Sequence, residues 1–169
     1  MTSEQPVTKA ELLAGLRSSA ADALATLRAL PAETFEQGRY ESGWNGRQIL
    51  AHLASIEWTY PRLMQPPAPP PAAAPAAPGA APARPAGGCG VDAYNARQVE
   101  QRANATVAEL LQEFETNRAK TIAAVEAADE SIFTQPARTG AGATGQLGRV
   151  FYNVAVTHVL QHTKDIAGK

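Results

Sequence analysis

Cysteine is almost missing from this chain: Cys89 is the single one in 169 residues. One thiol excludes an internal disulfide framework. Aromatic residues supply only 6% of the sequence, and no apolar run approaches the roughly 20 residues a membrane-spanning helix needs. Charge of one sign is lacking too. The formal net charge is −1 and the basic residues are spread along the chain, so nothing favours nucleic acid or an anionic membrane as a partner. The opening MTSEQPVTKAELL has no basic head followed by an apolar core, so no signal peptide is expected. These absences point to a soluble, cytoplasmic protein. Histidine is scarce as well, and its three occurrences carry the most information.

What is present is helical periodicity. A length of 169 residues suffices for one domain with a real core, and the 44% hydrophobic content, rich in alanine, is that of a globular chain. Thr8 and Glu11 fit the S/T-x-x-E capping box, in which each side chain satisfies the other's free backbone donor. Leu12, Leu16, Ala20, Ala23, Leu27 and Leu30 then recur at helical spacing until Pro31. A second helix is predicted to open at Asn45, with Gln48 as its capping partner. Its apolar stripe runs through Ile49, Leu53, Ile56, Tyr60 and Leu63, and His52 falls inside that stripe. Between about residues 66 and 90 the composition collapses to Pro, Ala and Gly, which favours an extended, mobile loop without a helix.

A third, long helix is expected from Ala93 to Ala128, capped by Asp92. Its inner face carries Val99, Ala103, Thr106, Leu110, Phe114, Thr121 and Val125. Its charged residues, Arg97, Glu100, Arg102, Glu109, Glu113 and Arg118, read as a solvated flank. A connector from Asp129 to Gly145 leads to the fourth helix, Leu147 to Ile166, with Thr144 as the expected cap. Four amphipathic helices and no convincing alternating strand predict an all-α, four-helix bundle spanning 1–169 as one domain.

The fourth helix places His158 and His162 four residues apart. That spacing brings two side chains to one helical face, about 5–6 Å apart at Cβ. Two such histidines alone are a weak signal, and a core histidine bonded to a carbonyl is the ordinary alternative for each ring. The combination with His52 is stronger, because all three lie on inward faces and facing helices of a bundle are where metal sites are built. Three imidazoles leave a tetrahedral metal one open position, the arrangement of a catalytic rather than a structural site. Water or a thiol can occupy that position, so the ligand set leaves hydrolysis and thiol chemistry both open.

The segment GWNGRQILAHLASIEW resembles the second helix of DinB-like four-helix proteins, the superfamily that includes the N-terminal domain of mycothiol-dependent maleylpyruvate isomerase. THVLQH resembles that family's H-x3-H on the fourth helix, and DAYNARQVEQRANATVAELLQEFE its third helix. The resemblance covers nearly the whole chain except the Pro/Ala-rich stretch. It implies that His52, His158 and His162 bind a divalent metal, often zinc or nickel, and that a low-molecular-weight thiol such as mycothiol or bacillithiol is used. The expected activity is therefore a metal-dependent thiol S-transferase acting on a small-molecule substrate. The alternatives are a metal-dependent hydrolase or self-resistance protein acting on a reactive small molecule, and a non-enzymatic binding protein. A homodimer is a further expectation, on the Ala-rich outer faces and the habit of that family. Trp44, Trp58 and Tyr60 are expected to pack rather than to bind, and Asn95 and Arg102 to serve as solvated or capping residues. Cys89, in a Gly-rich stretch with nothing nearby to lower its pKa, is not expected to be a nucleophile.

Overall fold

The computed structural model describes residues 6–39, 43–65, 90–139 and 142–168. The expected mobile loop, apart from Gly90, lies outside the described residues, as does Cys89. Helix dominates. The first helix, α1 (Lys9–Arg28), starts at the Thr8–Glu11 capping box, and α2 (Gly46–Glu57) starts at the reciprocal Asn45–Gln48 pair. In the latter, Asn45 Oδ1 accepts from the Gln48 amide at 2.8 Å and Gln48 Oε1 accepts from the Asn45 amide at 2.9 Å. Each such cap contributes about 1 kcal/mol by giving orphan amides a partner.

The single long third helix divides in two. Helix α3 (Gly90–Gln101) already includes Gly90, and α4 (Val107–Ala127) begins after a break at residues 102–106. The cause is local. Thr106 takes an extended backbone (φ −72°, ψ 158°), and its side chain accepts from the Glu109 amide while Glu109 returns the bond. Thr106 is therefore a cap, not an inner-face residue. Upstream, three-residue turn bonds from Arg102, Ala103 and Ala105 close α3.

The connector after α4 is more ordered than its turn formers suggest. Strands β1 (Pro136–Arg138) and β2 (Thr144–Gln146) pair antiparallel, Ala137 opposite Gly145. Thr144 thus lies in a strand, and Gln146 stands at the head of the next helix instead. Gly148, one residue into that helix, lies so close to the Val7 carbonyl that any Cβ would collide with it. The last helix also departs from uniform α geometry. It runs as α5 (Leu147–Tyr152), a π turn (Asn153–Thr157) and α6 (His158–Ala167), ending at Gly168 in the left-handed region (φ 72°).

Helix α2 packs against α3, α4 and α6, while α1 packs against α4, α5 and α6. Among the described residues two apolar clusters fill the interior. One joins Leu24, Leu27, Ile49, Leu53, Leu110, Phe114 and Val159; the other joins Leu12, Leu16, Val125, Phe133, Phe151 and Val156. Among the described residues no helix is long and apolar enough to cross a membrane.

Candidate metal centre

His52 enters the interior from the middle of α2, between the buried Ile49 and Leu53, and is only 6% exposed. His158 and His162 enter from α6, which opens at His158. The three rings meet. Their centroids lie 5.5 Å apart for His52 and His158, 5.5 Å for His52 and His162, and 4.3 Å for His158 and His162. One nitrogen from each ring falls within 4.8 Å of the others. Nitrogens bound to one tetrahedral zinc at about 2.0–2.1 Å stand roughly 3.3 Å apart, so side-chain shifts of about an ångström suffice to close the set. The structure thus brings together the three residues singled out by sequence.

The donor set is of a kind a cation could use. Nδ1 of His52 and Nδ1 of His158 are buried and have no hydrogen-bond partner among the described residues. Leaving such atoms unmatched costs about 1–3 kcal/mol each. His162 differs: its Nδ1 lies 3.0 Å from Asp165 Oδ2. An ionised carboxylate only accepts, so Nδ1 carries the proton and Nε2 is left as a lone-pair donor. A carboxylate behind a ligating imidazole is the usual device for fixing tautomer and ring orientation.

Electrostatics keep the rings neutral. Burial drives the His52 imidazole down to about 3, with repulsion from His158 and then His162 adding to it. Burial also lowers His158 to about 4, helped by His162 and opposed by Asp165. His162 is lowered by burial too, against the pull of Asp165. Neutral imidazole is the form that ligates a metal.

A cavity of about 590 Å³ opens onto His52 and His158. Ile56, Leu63, Val91 and Val154 give it an apolar wall, with Tyr60, Tyr94, Asn95, Asn153 and Arg62 as its polar groups. No carboxylate lines it among the described residues. A larger groove of about 850 Å³ beside the β1–β2 hairpin shares Arg62 and Leu63 with this cavity but touches none of the histidines.

The residues given lesser roles by sequence sort as follows. Trp44 packs against the core with its ring 5.4 Å from that of His52. Trp58 is 37% exposed and lies under the Arg62 guanidinium at 4.1 Å. Tyr60 is buried, and it also lines the cavity and donates its hydroxyl proton to the Val154 carbonyl at 2.6 Å. Asn95 faces the cavity rather than capping a helix. Arg102 grips Glu113 through Nε and Nη2 at 2.6–3.1 Å.

Sequence reasoning missed a second buried polar cluster. Arg118, read as part of a solvated flank, is only 2% exposed and faces Glu57, which is fully buried. Nη2 donates to Glu57 Oε2 at 2.9 Å and to the Ala155 carbonyl at 2.7 Å, while Nε stands 2.9 Å from Oε1. Burial drives the Glu57 carboxyl up, to about 7, against the pull of Arg118. The spacing held a signal for Glu57, which follows Ile49 and Leu53 at four-residue steps along the stripe of α2. Asp165, one turn after His162, was readable in the same way.

Comparison with protein-family models, with curated proteins and with solved structures yields no match for this chain.

Proposed function

We propose that this chain is a DinB-like four-helix bundle whose His52, His158 and His162 hold one divalent cation, zinc or nickel, and that it is an enzyme transferring a low-molecular-weight thiol to a small electrophile. The observation that carries the metal assignment is the convergence of three neutral imidazoles, one buried and two half-buried, two of them with orphaned nitrogens, with His52 and His158 lining a cavity. The bundle consists of α1, α2, α4 and the α5–α6 helix, whose mutual packing supports it. When bound, the cation supplies Lewis acidity and brings a thiol to its thiolate at neutral pH.

The protein's own groups do the rest. The three rings would hold the cation through nitrogen donors that carry no negative charge. Asp165 holds the proton on His162 Nδ1 and so leaves the Nε2 lone pair available to a cation that these residues would hold. The apolar wall of Ile56, Leu63, Val91 and Val154 excludes water and takes the body of the electrophile. Thiol transfer rests on the family resemblance; no Asp or Glu lines the cavity among the described residues, so hydrolysis there would depend on metal-bound hydroxide without a carboxylate base. Arg62, Asn95 and Asn153 offer hydrogen-bond donors for a polar end of the substrate. The reading includes a homodimer in the cytoplasm.

Metal analysis of purified protein, then product analysis with an electrophile in the presence and absence of added thiol, tests it. One equivalent of metal and strictly thiol-dependent product are expected. Equal turnover without thiol would assign a hydrolase, and stoichiometric capture without turnover a binding protein.

A further inference from the structure

The helix that carries two of the three histidines is not a uniform α-helix, and the irregularity ends on a candidate ligand. The His158 amide bonds back to the Asn153 carbonyl, five residues earlier, closing the π turn Asn153–Thr157. One extra residue in a turn rotates everything downstream by about 100° relative to an uninterrupted α-helix. The direction of His158 and His162 therefore depends on this turn persisting. A ladder that lengthens from four-residue to five-residue spacing and returns also skips a carbonyl, so such a turn needs outside donors. The two carbonyls that follow Asn153 both have one. Val154 accepts from the Tyr60 hydroxyl at 2.6 Å, and Ala155 accepts from Arg118 Nη2 at 2.7 Å.

These donors come from outside the helix they hold. Tyr60 lies on the 3₁₀ turn that follows α2, and Arg118 projects from α4 with its guanidinium fixed by Glu57 of α2. Helix α2 is also the source of His52. The element bearing the first ring is thus tied, through Glu57, Arg118 and Tyr60, to the turn that aims the other two. We propose that Tyr60 and Arg118 are positioning residues of the histidine centre: by holding the Val154 and Ala155 carbonyls they maintain the π turn that faces His158 and His162 toward His52.

The claim about ring placement stands without metal, whereas its consequence for affinity rests on the metal reading above. Tyr60→Phe removes one hydroxyl and keeps the ring, so it is the cleanest variant. Arg118→Lys, which keeps a charge beside Glu57 but loses the guanidinium fork, is read in the same way where Tyr60→Phe fails to fold. Two measurements are made on each: the histidine ring resonances of the metal-free protein by 1H–15N NMR, and the zinc Kd by competition with a chelating dye. The proposal expects the His158 and His162 resonances to move, and Kd to weaken by about tenfold or more, the range found when groups behind metal ligands are removed. A merely structural role would lower the melting temperature and leave both readouts in place. Ring resonances that superimpose on the wild type, or a Kd within twofold of it, overturn the proposal. Wild-type protein that binds no zinc removes the metal reading instead, and the ring resonances then decide the positioning claim by themselves.

Discussion

Among the described residues two polar clusters face the interior, and both draw on α2: His52 in one, Glu57 five residues later in the other. Around Arg118 the polar groups pair with one another, although Nε and Glu57 Oε1, 2.9 Å apart, meet as an ion pair without hydrogen-bond geometry. Its guanidinium meets a carboxylate and a carbonyl, and Thr121 donates to the Glu57 carbonyl at 3.2 Å. Around the histidines the pairing is thinner, since Nδ1 of His52 and Nδ1 of His158 have neither a hydrogen-bond nor an ion-pair partner among the described residues. A closed cluster of this kind specifies how helices sit against each other. An open one, lying on a cavity, leaves donor atoms of His52 and His158 free for the cation proposed above. The contrast adds to burial, since the Arg118–Glu57 pair is buried while His158 and His162 are half-buried.

The largest effect is expected from breaking the closed cluster. Arg118→Met leaves the Glu57 carboxyl buried without its cation, which costs about 3–5 kcal/mol. Urea unfolding of metal-free protein checks it, and a loss below about 1 kcal/mol would mean that the pair is not the framework described. Breaking the open cluster has the opposite dependence. His52→Ala is expected to leave metal-free stability little changed or improved, since a buried unmatched ring is removed. With zinc at a hundredfold excess over Kd it forfeits most of a stabilisation of about 2.7 kcal/mol. The same loss is expected for His158→Ala and His162→Ala, and the losses do not add in double variants. Melting curves with and without zinc measure this.

Acid sharpens the comparison further, because the two clusters respond with opposite sign. His52 and His158 titrate near 3 and 4 in the folded protein, against about 6.5 in an unfolded chain. The unfolded chain then binds more protons, so their contribution is complete above about pH 6.5 and is lost as pH falls toward 4 and 3. Glu57, raised to about 7 from an ordinary 4.5, acts the other way between those values and offsets part of the loss. Comparing His52→Ala with wild type, both metal-free, isolates the histidine share. Between pH 6 and 5 the variant is expected to lose stability less steeply, by about 1.4 kcal/mol per pH unit. Parallel pH profiles would show that His52 is not held neutral. The smallest effect belongs to the residue behind the site. Asp165→Asn keeps the size and is expected to weaken zinc binding about tenfold, read by the same competition titration, with little change in metal-free stability.

Much of the site was legible before the fold was. An i, i+4 histidine pair and a third histidine within an apolar stripe announce inward rings whatever the tertiary arrangement, because helical geometry is local. The capping boxes at Thr8 and Asn45 were readable for the same reason. The box at Thr106–Glu109 carries an identical signal, but apolar periodicity continuing through residues 99–125 concealed the break. Arg118 was misread because charge at the surface is the rule, and only a partner on another helix makes its burial tolerable. No sequence pattern marks the π turn, whose side-chain donors come from positions 60 and 118. The β1–β2 pair was equally hidden, being three residues on each side and mostly exposed.

Zinc titration of metal-free wild type and of His52→Ala, followed by melting with and without a chelator, tests the central claim most directly. The account predicts one zinc per chain for the wild type, a melting temperature that rises on loading and falls back with chelator, and the loss of both responses in His52→Ala. A wild-type melting temperature indifferent to zinc and chelator, or a variant that still takes up one equivalent, would contradict it.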